Sequence, residues 1–127
     1  MTANELFTLA LSFLSEKPPG SVQEYAIGWL NILLSECLKY ENAIRRSRGE
    51  EELEKAPLLQ SFEEEIPYCD EILLSALPYG LASFFYVDDE NDFRAENNRA
   101  RYISALDDLA ILSQVPIEDV YGGEDSA

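Results

Sequence analysis

Residues 88–92, with the sequence DDEND, are a dense group of carboxylates that could bind a calcium ion. If a twelve-residue calcium loop began at the first of them, two more acidic residues would fall at ligand positions three and five. The sixth position requires a glycine and the twelfth a bidentate glutamate, but the sequence has Phe93 and Arg99 there. The segment therefore predicts a solvated turn between helices, with Asn91 or Asp92 as the N-cap of the next helix.

The acidic run at 50–54, EEELE, contains the EExxE spacing with which all-α nucleotide pyrophosphatases hold magnesium from one helix face. Those enzymes also need an ExxD pair on a neighbouring helix, and none follows in this sequence. The run also lacks helical periodicity. A magnesium-dependent nucleotide hydrolase is therefore kept only as a remote alternative.

Three arginines, Arg94, Arg99 and Arg101, are the strong cations of the carboxyl-terminal half. Guanidinium groups pair well with phosphates, but also with the carboxylates that are abundant in this chain. We expect ion pairs within the chain or between subunits.

The charge balance excludes whole classes of function. The chain has 127 residues with 9 Lys+Arg and 25 Asp+Glu, and its formal net charge is −16. Such a chain repels phosphate backbones and anionic membranes, so we expect neither a groove-reading nucleic-acid binder nor a membrane protein. The sequence has no histidine, which removes Ser-His-Asp and Cys-His catalysis and histidine-ligated metals. We expect no catalytic centre, cofactor or metal.

The hydrophobic content of 46% predicts a folded protein, and the length predicts one domain over 1–127. Cys37 and Cys69 are too few for a disulfide scaffold and not in a CxxC spacing, which indicates reduced, mostly buried thiols and a cytoplasmic setting. The amino-terminal residues have no positive region or long apolar stretch of a signal peptide or membrane span.

Apolar periodicity predicts an all-α fold of about four helices in a small bundle. Helix 1 covers about 3–16, with Thr2 and Glu5 as a capping box, and ends at a PPG break that sets off residues 1–20. Helix 2 covers about 22–47. Helix 3 begins at the cap Asp70 and ends before 88–92, with a kink or a restart near Leu77 because of Pro78. Helix 4 covers about 92–113, and 114–127 form a tail.

The inner faces follow from the same spacing. In helix 2, Trp29 shares a row with Tyr25 and Tyr40, which indicates core packing more than a ligand pocket. A second apolar row on this helix predicts that it is covered on more than one side. For helix 4 the predicted inner residues are Phe93, Ala100, Ile103, Leu106, Leu109 and Ala110.

Residues 49–68 lack periodicity and form a long non-helical arm between helices 2 and 3. The arm could hold a short hairpin or extend to a partner, or it could be a surface loop. Together with the arginines it supplies the predicted partner interface, which consists of Leu58, Leu59, Phe62, Ile66, Tyr68, Arg94, Arg99 and Arg101.

Several segments of the chain resemble a family of phage proteins. These segments are 30–37 (LNILLSEC), 41–45 (ENAIR), 65–68 (EIPY), 70–71 (DE), 77–82 (LPYGLA), 88–90 (DDE) and 97–99 (NNR) with Tyr102. Over about 22–112 the chain is similar to head-tail connector (adaptor) proteins of long-tailed phages and prophages of Firmicutes. In that family the protein usually begins directly with the helix that packs in the ring, so residues 1–20 are a departure.

The resemblance implies a non-catalytic virion assembly protein. Such proteins form a homo-oligomeric ring of about a dozen copies below the portal, contact the portal or a neighbouring neck protein, and let DNA pass as non-specific cargo. They would act in the cytoplasm of a bacterial host and then in the virion. The acidic composition fits a channel wall that does not hold phosphates, although it also fits simple solubility. The alternative is an acidic DNA mimic or inhibitor-type binding protein.

Overall fold

Five helices make up most of the chain over residues 1–14 and 22–113, the residues that this computed structural model describes. The helices are α1 (Ala3–Leu11), α2 (Val22–Ser47), α3 (Asp70–Ser75), α4 (Leu77–Asp88) and α5 (Asp92–Ser113). These described residues contain no strand, and their one isolated β-bridge joins Thr2 to Glu65. The fold is an all-α bundle, as predicted. The predicted PPG break and the tail at 114–127 lie outside the described residues.

The first helix begins as predicted and ends earlier. The Thr2 hydroxyl accepts a hydrogen bond from the Glu5 amide, and the Glu5 carboxylate accepts one from the Thr2 amide, which completes the capping box. The helix ends at Leu11 because the Ser12 hydroxyl donates to the Leu9 carbonyl, 2.6 Å away, and the following amides bond three residues back. The prediction of a helix to residue 16 was therefore wrong at this end.

The second helix has the predicted bounds, and both of its apolar rows are covered. Leu33 and Cys37 from one row and Leu30 and Leu34 from the other are fully buried. The helix therefore packs on more than one side, as its sequence predicted.

Helices α3 and α4 replace the single predicted third helix. Ala76 separates them, and Pro78 lies in the first turn of α4. Backbone amides in a first turn have no carbonyl partner within the helix, so the lack of an amide hydrogen in proline breaks no helical hydrogen bond there. The break falls where Pro78 predicted it. The predicted cap Asp70 lies instead in the first turn of α3, and Cys69 is the N-cap without a side-chain cap bond.

Helix α4 lies at the centre of the bundle and packs against each of the other four helices. Its sequence has no charged residue before Asp88, so it can be buried on several sides. Gly80 allows close packing, because a Cβ atom there would lie 2.9 Å from side-chain carbons of both Leu33 and Tyr102. The absence of a side chain at this position lets α4 approach α2 and α5.

The inner face of α5 differs from the prediction. Phe93 is 78% exposed, and Ala100 and Ile103 are also exposed, so their predicted burial was wrong. Tyr102 is fully buried instead and lies nine positions after Phe93, which is about two and a half helical turns and therefore the opposite face. The buried residues of α5 are Ala95, Tyr102, Leu106, Leu109 and Ala110.

Candidate interaction surface

The predicted interface residues of the arm do not form one exposed patch. Leu59, Ile66 and Tyr68 are buried in the core of the same chain, so the structure corrects the prediction that they are available to a partner. Phe62 is half-buried, with its ring centroid 5.2 Å from that of Phe7. Leu58 is 72% exposed and remains a candidate contact residue.

Two asparagines of α2 hold the arm along the helix. The Asn31 side chain donates to the Leu59 carbonyl (3.0 Å) and accepts from the Leu59 amide (2.8 Å). Asn42 makes the same pair of bonds with Leu53, at 2.9 and 2.8 Å. The two asparagines are eleven positions apart, which is about three helical turns, so they lie on one face. The arm is therefore an ordered segment packed on its own chain, and the pair of asparagines is the pattern that sequence reasoning missed.

A buried carboxylate ties both ends of the arm to α2. Glu41 is only 2% exposed; it accepts from Arg45 Nε at 2.6 Å and from the Cys69 amide at 2.8 Å. The same guanidinium donates to the carbonyl groups of Glu51 (3.0 Å) and Pro67 (2.7 Å). Because every polar atom of this group has a partner, the burial of charge is compensated. This cluster is a structural support for the arm.

Residues 64–66, shortly before the end of the arm, pair with the first residues of the chain. The amides of Ala3 and Ile66 bond to the carbonyls of Glu64 and Met1 at 2.9 and 3.0 Å, and these bonds form the bridge between the two segments. The arm contains no hairpin in this structure. Its path along α2 to α1 replaces the predicted hairpin and the predicted reach away from the chain.

Arg99 forms an internal ion pair as part of a polar chain between α5 and α2. Its guanidinium lies 3.2 Å from Glu36, and the Tyr102 hydroxyl donates to the same carboxylate at 2.8 Å. The Cys37 thiol, 3.3 Å from the Tyr102 oxygen, then donates to that oxygen. Burial raises the pKa of Cys37 to about 12, so this thiol stays protonated at neutral pH and is no thiolate nucleophile. Burial also raises the pKa of Cys69 to about 12.

A groove between α4 and α5 collects cations and aromatic rings. We call it the α4–α5 groove; it has a volume of about 450 Å³. Its lining residues are Phe13, Tyr79, Tyr86, Phe93, Arg94, Asn97, Asn98 and Arg101. The four α5 residues from Arg94 to Arg101 follow at spacings of three, one and three, so they share one face of the helix.

The two arginines of the groove are positioned by tyrosines of α4. Arg94 lies over the Tyr86 ring at 5.9 Å from its centroid, and Arg101 lies over the Tyr79 ring at 5.6 Å. The tyrosines are seven positions apart in α4 and the arginines seven apart in α5, so the two antiparallel helices bring matching pairs together. This shared spacing was present in the sequence, and it was overlooked.

The arginines of the groove differ from the other described arginines in their ion pairing. Arg45, Arg46, Arg48 and Arg99 each pair with a carboxylate, at Glu41, Glu52, Glu71 and Glu36. Neither Arg94 nor Arg101 has a carboxylate partner among the residues the structure describes. The expectation of an internal ion pair is thus confirmed for Arg99, while for the other two the alternative of a pair between subunits stays open.

The chemistry of the groove suits an anion that carries or adjoins apolar groups. Stacking on a ring restrains a guanidinium while leaving its N–H edges free for a carboxylate or phosphate. Phe93 stands exposed at the groove beside them, and the Phe13 ring stacks on Tyr79 at 4.7 Å. We take the α4–α5 groove as the candidate interaction surface of this protein.

The acidic motifs do not form a metal centre. The 50–54 run is non-helical, so its EExxE carboxylates do not align on a helix face. In the 88–92 turn, Asn91 caps α5 by accepting from the Arg94 amide at 3.2 Å, as predicted, and Glu90 adopts a φ of 58°. Over the described ranges, no group of three or more His, Cys, Asp or Glu residues is placed to hold a metal ion.

The tryptophan row contributes mainly to packing. Trp29 is half-buried and stacks on Phe84, with ring centroids 5.7 Å apart and an angle of 7° between the ring planes. The preference for core packing is confirmed for this residue. Tyr25, by contrast, is 51% exposed.

Comparisons of the chain with protein-family models, curated proteins and solved structures found no match. Each helix within 1–14 and 22–113 is too short or too polar to cross a membrane.

Proposed function

We propose that this protein is a non-catalytic assembly subunit of the head-tail connector type, which forms a ring with its own copies below a phage portal and lets DNA pass. The observation that carries the proposal is the α4–α5 groove. It places two arginines without a described carboxylate partner beside the exposed ring of Phe93, on a chain with a net charge of −16. A binding surface of this kind suits contact with another acidic protein.

The remaining surface supports the passage of DNA. Asp107 and Asp108 are exposed on α5, and the residues of the acidic turn from Asp88 to Glu90 are exposed as well. Carboxylates at a channel wall repel the phosphate backbone and prevent the contacts that would retain it. The internal pairing of four arginines within the described residues leaves few cations that could hold DNA.

The order of the arm also supports an assembly role. The hydrogen bonds from Asn31 and Asn42 of α2, together with the bridge to Thr2, hold the arm in one conformation in the free subunit. A surface that is ordered in the free subunit loses less conformational entropy on assembly. In this proposal the ring and the portal, or a neighbouring neck protein, are the partners, in the host cytoplasm and then in the virion.

The proposal is tested by measuring the molar mass of the protein with light scattering over a wide concentration range, alone and with the portal protein encoded beside it. Closed rings in electron micrographs, or a stable complex with the portal, would support it. A protein that is monomeric at every concentration and does not bind the portal would overturn it. The matched control is the same measurement with a portal from an unrelated phage.

An acidic DNA mimic is the second candidate, favoured by the exposed carboxylates of the turn at 88–92. None of Asp88, Asp89, Glu90 and Asp92 forms an ion pair with a described residue. A mimic would capture nucleic-acid-binding proteins from a host lysate in a salt-sensitive way, since screening weakens exposed charge pairs. Absence of such capture at low salt would remove this candidate.

A further inference from the structure

We propose that the α4–α5 groove receives the acidic segment 50–54 of a neighbouring copy, and that this contact links one subunit to the next. The inference rests on the proposed function, because it specifies how the ring would be joined.

The spacing of charges agrees between the two surfaces. Arg94 and Arg101 are seven residues apart on one face of α5, which corresponds to a rise of about 10 Å. Glu51 and Glu54 are three residues apart in non-helical chain, which spans up to about 10 Å when extended. One segment can therefore place a carboxylate at each guanidinium.

The charges on both surfaces are free of partners within the described part of the chain. The side chains of Glu50, Glu51 and Glu54 are exposed and form no ion pair with a described residue. In the same segment Glu52 pairs with Arg46 at 2.9 Å, and this ion pair does not involve the carboxylates of Glu50, Glu51 and Glu54. The groove and the segment thus present complementary charges that the other described residues do not neutralise.

Both surfaces are ordered before they meet. The bonds from Asn42 to Leu53 hold the segment on α2, and Arg45 binds the Glu51 carbonyl. The guanidinium groups of the groove rest on tyrosine rings of α4. Such preorganisation reduces the entropy lost when two exposed charged surfaces associate.

The two surfaces also satisfy the symmetry of a ring. No residue of α2 or of the arm lines the groove, so donor and acceptor surfaces are distinct parts of the molecule. A contact between two different surfaces is heterologous and can close into a ring. The acidic turn at 88–92 adjoins Phe93 and Arg94 of the groove itself, so a contact through that turn would favour a two-fold dimer.

The test exchanges charges across the contact. We expect R94E/R101E and E51R/E54R each to assemble at least about 10-fold more weakly than the native chain, because like charges would then face each other. An equimolar mixture of the two variants should recover assembly. In the mixture each native groove meets a native segment, and each reversed groove meets a reversed segment. All four positions are exposed in the subunit, so the melting temperature of the dilute, unassembled protein should not change.

Matched controls reverse exposed charges elsewhere. K39E changes a cation of α2 and E24R/E63R changes one carboxylate of α2 and one of the arm, all outside the groove and the segment. Both controls should assemble like the native chain. In F93S, which removes an exposed ring of the groove, assembly should weaken while the melting temperature of the dilute, unassembled protein stays the same.

The outcomes separate this contact from the proposed function. Recovery in the mixture supports the contact. If the native protein assembles, alone or on the portal, and the variants assemble equally well, the contact is overturned and the function stands. The contact is also overturned if assembly of R94E/R101E is recovered by mixing with a variant in which Asp88 and Asp89 are reversed in charge, and not by mixing with E51R/E54R. If the native protein stays monomeric and does not bind the portal, both the contact and the proposed function are overturned.

Discussion

Replacing Asn31 with alanine should loosen the arm from α2 and lower the free energy of unfolding. The side chain makes two hydrogen bonds with the backbone of Leu59, at 3.0 and 2.8 Å, in a partly buried place. Each polar group left without a partner costs about 1–3 kcal/mol when buried. For a partly buried site we take the lower end, and expect a total loss of about 2 kcal/mol.

The measurement is urea unfolding followed by circular dichroism, with hydrogen exchange at the Leu59 amide as a local probe. Asn97→Ala is the matched control, since Asn97 is exposed on α5 and makes no hydrogen bond with a described residue. Both substitutions gain the same helix propensity, so the difference in unfolding free energy between the two variants reports the two hydrogen bonds from Asn31 to Leu59. Asn31→Asp keeps the acceptor for the Leu59 amide but turns a carboxylate oxygen towards the Leu59 carbonyl, so it should not restore the native stability.

The reasoning is refuted if Asn31→Ala and Asn97→Ala agree within about 0.5 kcal/mol and exchange at Leu59 is unchanged. In that case the two hydrogen bonds contribute nothing beyond what water supplies. If exchange at Leu59 accelerates while global unfolding is unaffected, the two hydrogen bonds from Asn31 stabilise only the arm. The loss of about 2 kcal/mol then applies to local opening of the arm.

Three further predictions concern packing, ionisation and surface exposure. Gly80→Ala should lower the free energy of unfolding by about 1–3 kcal/mol in the same urea assay, because its Cβ would press on Leu33 and Tyr102; a stability equal to native would show that α4 shifts freely. Stability should fall as pH rises from about 9 towards 12, since the Cys37 pKa is about 12 in the folded protein and 9.0 without burial, so the unfolded chain loses this proton first. Cys37→Ala should reduce this slope and leave the part that comes from Cys69, whose pKa burial raises to the same value, and an unchanged slope would exclude the Cys37 thiol as a source. In dilute, unassembled protein, Phe93→Ser should leave the thermal midpoint of unfolding within about 2 °C of native, because an exposed ring contributes little to the fold of the subunit. A large drop under these conditions would mean that the ring is buried within the subunit.

The features that the sequence predicted correctly are those that depend on residues close together in the chain. The bounds of α2, the capping box at Thr2 and the break at Pro78 follow from local periodicity, capping and backbone sterics, and all three are confirmed. The face of α5 was not predicted, because Tyr102 is buried through contacts with Cys37 and Glu36, more than sixty positions away.

The arm and the groove show the same limit. Asn31 and Leu59 are 28 positions apart, and no local rule relates an asparagine in a helix to a backbone group in a distant loop. For the groove, the sequence indicated Arg94 and Arg101 as candidate contacts. Their lack of an internal partner and their stacking on tyrosines are properties of how α4 and α5 pack, so the structure was needed to separate them from Arg99.

The most direct test of the account is the molar mass of the native protein and of R94E/R101E across concentration, with and without the portal. The account predicts that the native chain forms closed rings or a portal-bound ring, and that R94E/R101E does so at least about 10-fold more weakly unless E51R/E54R is added. A native chain that remains monomeric at every concentration and does not bind the portal would contradict it.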